Sequence, residues 1–147
     1  MGPSDLDGVM AIEEVSFPTP WSRGMFLDDF PRDFSDTLVA AGTEDEVLGY
    51  AVCWTIAGEA HLLNIAVHPA RRGRGIGRAL LSESIRRAAR AGASLIFLEV
   101  RAGNEAAQRL YRSMGFAFRA IRKGYYTDTG EDAVIFDREV RKSDAAG

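Results

Sequence analysis

The chain has 147 residues, 46% hydrophobic and 27% charged, a composition typical of a globular protein rather than a disordered one. Its one cysteine, Cys53, excludes an internal disulfide, and no apolar run reaches the ~18–20 residues of a membrane-spanning helix. We therefore expect a single cytoplasmic domain over residues 1–147 with no membrane attachment.

The net charge of −3 hides an uneven distribution. Residues 1–70 carry twelve acids and two bases, whereas residues 71–147 carry nine acids and sixteen bases. A sequence pI near 5.4 argues against a general nucleic-acid binder. The basic half is predicted to meet a small polyanion, and the acidic half a cation.

The first predicted elements are two helices. Residues 4–16 place apolar side chains at helical spacing behind Ser4, a candidate cap. Two prolines in FPTPW make residues 17–21 a loop. Ser22 can cap a short second helix that runs to about Phe30.

Three strands are predicted next, at 37–41, 47–56 and 60–67, separated by turn signals as in an antiparallel meander. A long amphipathic helix follows over residues 74–91. The nearly continuous apolar run SLIFLEVR at 94–101 indicates a strand covered on both faces.

The last predicted elements are one helix and two strands. Asn104 can cap a helix that ends at Met114, with its buried face formed by three apolar residues. Those residues are Ala107, Leu110 and Met114. Strands at about 116–126 and 132–140 complete the chain. This order predicts an α/β sandwich with four helices on a mixed, mostly antiparallel sheet of about six strands.

The stretch IAVHPARRGRGIGR at 65–78 is the most informative part of the sequence. A strand ends, Pro69 turns the chain, and three glycines lead directly into a helix. Free N–H groups at a helix start, together with the helix dipole, make an anion site. The glycine spacing fits neither the dinucleotide fingerprint nor the Walker motif. A phosphate or pyrophosphate is therefore predicted here, with a basic loop that binds nothing as the alternative.

The run RGRGIG at 72–77 matches the Q/R-x-x-G-x-G/A signature of the GNAT acetyltransferases, and the chain resembles that family over most of its length. LNIAVHP at 63–69 and LEVRAGNEAAQRLYRSMGF at 98–116 look like the bacterial ribosomal-protein-alanine N-acetyltransferases in particular. FPTPW at 17–21 and GYYTDTGEDAVIF at 124–136 share this likeness. One departure is that the strand which usually precedes the first helix is absent or very short.

The resemblance implies acetyl-CoA as acetyl donor and no metal. In the family, the glycine loop wraps the pyrophosphate, main-chain amides of the preceding strand face the donor, and an asparagine contacts the pantetheine arm. The positions implied here are Ile65, Ala66, Val67, Arg72, Gly73, Arg74, Gly75, Ile76, Gly77, Arg78 and Asn104.

The helix spacing also places Asn104, Gln108 and Tyr111 on one polar line, since seven residues are about two turns. Such a line could follow an extended ligand. The alternatives are that Asn104 only caps the helix and that Tyr111 only packs. The resemblance implies that Tyr111 lies by the sulfur and acts as general acid.

Glu99 interrupts an apolar strand, where a carboxylate is costly unless it is paired, wetted or used. A pair with Arg101 or exposure at the strand end would explain it without function. The resemblance implies that Glu99 is the general base of direct acetyl transfer. His61, on a neighbouring predicted strand, is the rival base.

The resemblance further implies that Phe17, Pro18, Tyr125 and Tyr126 wall a slot for a peptide N-terminus. The expected substrate is the N-terminal alanine of a small-subunit ribosomal protein, bound by a monomer or weak dimer without nucleic acid. Two alternatives remain: transfer to a lysine or small amine, and a non-catalytic acyl-CoA-binding module.

Overall fold

The computed structural model describes residues 1–146 as four helices and six strands, in the order that the sequence predicts. The helices are α1 (Leu6–Ser16), α2 (Arg23–Asp29), α3 (Ile76–Arg90) and α4 (Glu105–Ser113). The strands are β1 (Ser35–Ala41), β2 (Val47–Ile56), β3 (Glu59–Val67), β4 (Leu95–Arg101), β5 (Ala117–Arg122) and β6 (Ala133–Glu139). Within residues 1–146, only a short 3₁₀ turn precedes α1, as expected.

Two helices begin at residues whose side chains cap the helix N-terminus. The Ser22 hydroxyl accepts from the Met25 amide at 3.2 Å, and the Asn104 side chain accepts from the Ala107 amide at 3.2 Å. Gly115 adopts φ +89° just after α4, the left-handed conformation that commonly ends a helix.

The strand order β1-β2-β3-β4-β6-β5 makes a mixed sheet in which β3 and β4 form the one parallel pair among the described residues. That pair covers four positions, from Glu59 opposite Leu95 to Leu62 opposite Leu98. Both strands continue beyond this point, but they are no longer paired. The sheet therefore opens into a cleft between the ends of β3 and β4.

Helices cover both faces of the sheet. On one face, α3 and α4 bury a core around Leu81, Ile96 and Phe136. On the other face, α1 and α2 pack against the sheet around Ile12 and Tyr50. The predicted sandwich is confirmed.

The expectation that β4 is covered on both faces is wrong. Its even-numbered residues Ile96, Leu98 and Val100 are buried, but Phe97 and Glu99 are partly exposed. The second face stays open because α1 packs over β2 and β3 and does not extend over β4.

The predicted buried face of α4 is confirmed only in part, because its three residues pack against the core but are not the most buried positions of the helix. Gln108 and Tyr111 are buried, whereas Ala107, Leu110 and Met114 are only partly so. Gln108 tolerates burial because its side-chain amide donates to the carbonyls of Arg101 and Ala102 at 3.2 and 3.0 Å. It closes the end of β4 and does not belong to a ligand-facing line.

The strand predicted over 116–126 ends earlier than expected, at Arg122. Residues 123–132 form a loop instead, and Gly124 and Gly130 adopt positive φ angles in it. This loop lies beside the cleft.

Candidate active site

The glycine loop connects β3 to α3 and exposes the start of α3. Gly73 and Gly75 adopt φ +78° and +80°, a conformation that other residues rarely take. A Cβ at either position would meet nothing within 4 Å, so the backbone angle is what requires glycine there. Gly75 is the N-cap of α3 and provides no side-chain cap. The first amides of α3 are therefore available to an anion.

Arginines surround this helix start. The Arg72 Nε atom lies 3.4 Å from the Val67 carbonyl, and Arg78 donates to the Ser113 hydroxyl on α4 at 2.8 Å. Arg71, which the sequence analysis did not single out, pairs with Glu46 at 3.0 Å. These guanidinium groups make the loop a strongly positive surface.

A first cavity, of about 640 Å³, lies between the end of β3, the glycine loop and α4. All the residues predicted to bind the donor line it except Arg74, which the loop places outside. The predicted residues that line it are Ile65, Ala66, Val67, Arg72, Gly73, Gly75, Ile76, Gly77, Arg78 and Asn104.

A second cavity, of about 760 Å³, occupies the cleft where β3 and β4 separate. The four predicted slot residues Phe17, Pro18, Tyr125 and Tyr126 all line it, together with Glu99 and Tyr111. The two cavities adjoin, because both are lined by Ser16, Phe17, Ile65, Asn104, Ala107 and Tyr111. A ligand in one can therefore meet a ligand in the other beside Tyr111.

Tyr111 lies where the cavities join. Its ring packs on Phe116 and Phe136, with centroids 5.8 and 6.4 Å apart, and the residue is 5% exposed. Burial raises the pKa of its phenol above the ordinary value. Within residues 1–146, no hydrogen bond engages its hydroxyl. The group is therefore a protonated donor next to both cavities.

Glu99 follows Leu98, the last residue of β4 that pairs with β3. Its Oε2 atom lies 2.6 Å from Nε2 of His61, so the two candidate bases are hydrogen-bonded to each other. The predicted alternative of a Glu99–Arg101 pair is wrong. Arg101 instead reaches Asp128 at 2.8 Å, because its guanidinium turns toward the loop after β5.

Arg101 and the loop after β5 form one wall of the second cavity. The guanidinium lies 4.0 Å from the centre of the Tyr126 ring, and burial raises the pKa of that phenol to about 12. The hydrogen bond from Arg101 lowers the pKa of Asp128. Asp128 also accepts from Thr19 at 3.1 Å, which joins this loop to the FPTPW loop across the cavity.

Glu13 is a functional candidate that the sequence reasoning missed. It lines the second cavity and is 1% exposed. Its carboxylate accepts from the Trp21 amide at 2.9 Å, from Asn64 at 3.0 Å and from the Tyr50 hydroxyl. The signal was its place seven residues after Leu6, on the buried face of α1. Glu13 fixes the FPTPW loop to β2 and β3.

Residues 1–146 contain no cluster of three or more side chains that could hold a metal ion. Over the same residues, no helix is both long and apolar enough to cross a membrane.

Comparison with known proteins places this geometry among acetyltransferases. The sequence profile described as Acetyltransferase (GNAT) family matches residues 6–116. A ribosomal protein bS18-alanine N-acetyltransferase from Haemophilus ducreyi is 35% identical over 134 residues, covering 89% of this chain and 91% of that protein.

Two solved structures have closely similar folds. The ribosomal-protein-S18-alanine N-acetyltransferase from Escherichia coli superposes with a TM-score of 0.85 at 34% identity, over 95% of this chain and 90% of that one. Ard1 from Thermoplasma volcanium superposes with a TM-score of 0.86 at 27% identity, over 96% of this chain and 95% of that one.

Proposed function

The chain belongs to the GNAT family of acetyltransferases, and we propose that it transfers the acetyl group of acetyl-CoA to the α-amino group of a protein N-terminus. The observation that carries this proposal is the junction of the two cavities beside Tyr111, with the glycine loop lining the first cavity and Glu99 lining the second. The relatives from Haemophilus ducreyi and Escherichia coli are named for the alanine of a small-subunit ribosomal protein. We propose the same class of substrate here.

The first cavity fits a donor that carries a diphosphate. The uncapped amides at the start of α3 and the guanidinium groups of Arg72 and Arg78 match an anion with several oxygens. Asn104 extends the lining toward the junction with the second cavity. When bound, acetyl-CoA supplies the thioester whose carbonyl carbon accepts the amine.

Glu99 is proposed to remove the proton that the amine must lose. An α-ammonium group has an unperturbed pKa of about 7.7–8.0, so much of it is protonated near neutral pH. Glu99 lines the second cavity, where it can act directly or through one water. Such general-base help is typically worth ~10²–10⁴ in rate.

Tyr111 and the main chain of β3 are proposed to handle the charge that develops during transfer. Residues 65–67 line the first cavity past the point where β3 loses its pairing with β4, and their main-chain N–H groups are the proposed donors. A donor of this kind to the carbonyl oxygen is worth ~10²–10³. The protonated Tyr111 hydroxyl then donates to the leaving sulfur.

The second cavity suits a cationic, extended peptide. Three carboxylates, Glu13, Glu99 and Asp128, line it beside one guanidinium, that of Arg101. Phe17, Pro18, Tyr125 and Tyr126 supply flat walls for a main chain. The negative balance favours the positively charged end of a ribosomal protein.

Mass spectrometry of peptides incubated with acetyl-CoA tests this function. Three basic peptides that begin with alanine share one sequence and contain lysine: one has a free α-amine, one an acetyl-blocked α-amine, and one dimethylated lysines. We expect acetylation at residue one of the first and third peptides and none of the second. Transfer to lysine in the blocked peptide would overturn the proposal, as would no transfer to any of the three.

A further inference from the structure

His61 and Glu99 form a side-chain pair across the parallel strands β3 and β4. The Nε2 atom of His61 lies 2.6 Å from Oε2 of Glu99. His61 stands opposite Phe97 in the strand register, and their rings stack with centroids 4.3 Å apart and planes 14° apart. The strand and the stack together fix the imidazole, so its Nε2 is directed at the carboxylate.

The carboxylate of Glu99 uses its two oxygens differently. Oε2 is engaged by His61, whereas Oε1 has no hydrogen-bond partner in residues 1–146. The Glu99 side chain is 12% exposed and lines the second cavity, while His61 is 26% exposed and lines neither cavity. His61 therefore fixes Oε2, and Oε1 remains available to a ligand in the second cavity.

We propose that His61 is a positioning residue that donates through Nε2–H to Oε2 and holds Oε1 of Glu99 toward the acceptor amine. This inference rests on the proposed function, in which Glu99 takes the amine proton. A carboxylate that could rotate freely would lose part of the rate that fixed geometry supplies. A carboxylate that is only 12% exposed also needs a hydrogen-bond donor to offset the loss of water.

In this arrangement Glu99 accepts a proton and His61 does not. As the new N–C bond forms, the C–S bond of the thioester breaks, and the sulfur leaves with that electron pair and takes a proton from Tyr111, which regains one from solvent. One N–H bond of the neutral amine also breaks, and its electron pair stays on nitrogen. The proton moves to Oε1 of Glu99, directly or through one water, and later leaves to solvent. His61 keeps its own Nε2 proton throughout.

The same contacts argue against His61 as the base itself. Its Nε2 atom is committed to Glu99, and the stack on Phe97 holds the ring in that orientation. An amine in the second cavity would meet Glu99 first, because His61 does not line that cavity.

Two substitutions at His61 separate positioning from proton transfer. His61→Leu removes the donor, and we expect kcat to fall between about tenfold and a hundredfold, since a misplacement of about 1 Å can cost ~10² in rate. The KM for peptide and the Kd for acetyl-CoA should change less than about twofold, because neither cavity is lined by His61. His61→Gln keeps an N–H donor and should restore kcat to within about threefold of the wild type.

Kinetics can overturn the inference in two ways. Full activity of His61→Leu would leave the histidine without a role in the reaction. Equal loss in His61→Leu and His61→Gln, together with an active Glu99→Gln, would assign proton transfer to His61 itself.

Nitrogen-15 NMR tests the hydrogen bond without measuring activity. The chain has two histidines, His61 and His68. Nδ1 of His68 accepts from the Ala70 amide at 3.0 Å, so His68 is an internal reference with its proton on Nε2. We expect the Nε2–H proton of His61 to be shifted downfield by its hydrogen bond to Glu99 in the wild type, and to lose that shift in Glu99→Leu while His68 stays unchanged.

The two tests distinguish the inference from the proposed function. If the His61 spectrum is the same in Glu99→Leu as in the wild type, the positioning role is overturned, whatever the substrate. A wild type that fails on α-amines while His61 still responds to Glu99→Leu would refute the function and leave the hydrogen bond established.

Discussion

The proposed mechanism depends on the hydroxyl group of Tyr111. In Tyr111→Phe the ring still packs on Phe116 and Phe136, so the fold should be retained. We expect kcat to fall by ~10²–10⁴, the usual contribution of a general acid, and the Kd for acetyl-CoA to change much less. Steady-state kinetics and calorimetric titration measure these two quantities.

The matched control for this variant is Tyr125→Phe, which removes a hydroxyl from a ring that is 45% exposed at the edge of the second cavity. It should leave kcat within about twofold of the wild type. An unchanged kcat in Tyr111→Phe would make that tyrosine a packing residue only.

Gly75 provides the test of the anion site. Gly75→Glu places a carboxylate beside the amides that would bind the diphosphate, and two like charges at ~4 Å cost about 4 kcal/mol at an effective dielectric constant of 20. We expect CoA binding to weaken by about a hundredfold or more in calorimetric titration.

Gly92→Glu controls for backbone strain in this experiment. Gly92 has φ +87° and open space around it, but lies past the opposite end of α3. The Gly92→Glu protein should lose about as much stability as Gly75→Glu and should bind CoA with wild-type affinity. Equal affinity in both variants would contradict a diphosphate site at the glycine loop.

Residues of the candidate site could be recognised in the sequence where their local chemistry marks them. The glycines before α3 and the carboxylate in an apolar strand stand out by type and position alone. The contact between His61 and Glu99 did not, because it depends on the register of two strands 38 residues apart. The alternative in which Arg101 pairs with Glu99 was wrong, since Asp128 approaches Arg101 from a loop that is distant in the sequence.

At the scale of elements, the packing of α1 against β2 depends on the absence of a side chain. A Cβ at Gly8 would lie 2.7 Å from Cγ2 and 2.8 Å from Cβ of Val47. Gly8→Ala should therefore lower the free energy of unfolding by about 1–3 kcal/mol, as overpacked cores do. Urea denaturation followed by circular dichroism measures this change.

Gly24→Ala is the matched helical control. The nearest atom to its new methyl group would be the Ser22 hydroxyl at 3.8 Å, so α2 should gain up to about 1 kcal/mol from reduced backbone freedom. A Gly8→Ala protein as stable as the wild type would show that α1 can shift away from β2 without loss.

Element order was predictable because caps, glycine stops and the change from helical to strand periodicity are local signals. The faces of β4 and α4 were not, since burial depends on which helices cover the sheet. The apolar run predicts a strand covered on both faces, yet the exposed face of β4 borders the second cavity. Gln108 reads as surface polar until the carbonyls that accept from it are known.

At the scale of the whole molecule, buried tyrosines limit stability at high pH. Burial raises the pKa of both Tyr50 and Tyr111 above the ordinary value of about 10. Above about pH 10 the unfolded chain loses these protons while the native protein keeps them. Stability is therefore fully present below that pH and falls as the pH rises.

We expect a decrease of up to about 1.4 kcal/mol per pH unit for each of these tyrosines. Urea unfolding at about pH 9, 10 and 11 measures it. Tyr50→Phe should reduce the slope at the cost of some neutral-pH stability, because Glu13 loses a donor. A wild-type stability independent of pH over this range would contradict the prediction.

The acidic first half and the basic second half of the chain form ion pairs with each other, in addition to lining the candidate site. Arg71 pairs with Glu46 and Arg87 with Asp36, both at 3.0 Å, so basic residues of the second half meet acidic residues of the first. Each such exposed pair is worth only ~0–1 kcal/mol. The sequence interpretation assigned this asymmetry to ligands alone, because the pairings require the folded topology.

The parallel ladder between β3 and β4 stops after four positions, whereas the other strand pairs of the sheet extend over five to eight. Acetyl-CoA in the adjoining first cavity would bind the native state and not the unfolded chain. By mass action, a hundredfold excess over its Kd adds about 2.7 kcal/mol to the resistance against unfolding. The lifetime of the native protein, and with it the susceptibility to proteases, would then follow the local supply of acetyl-CoA.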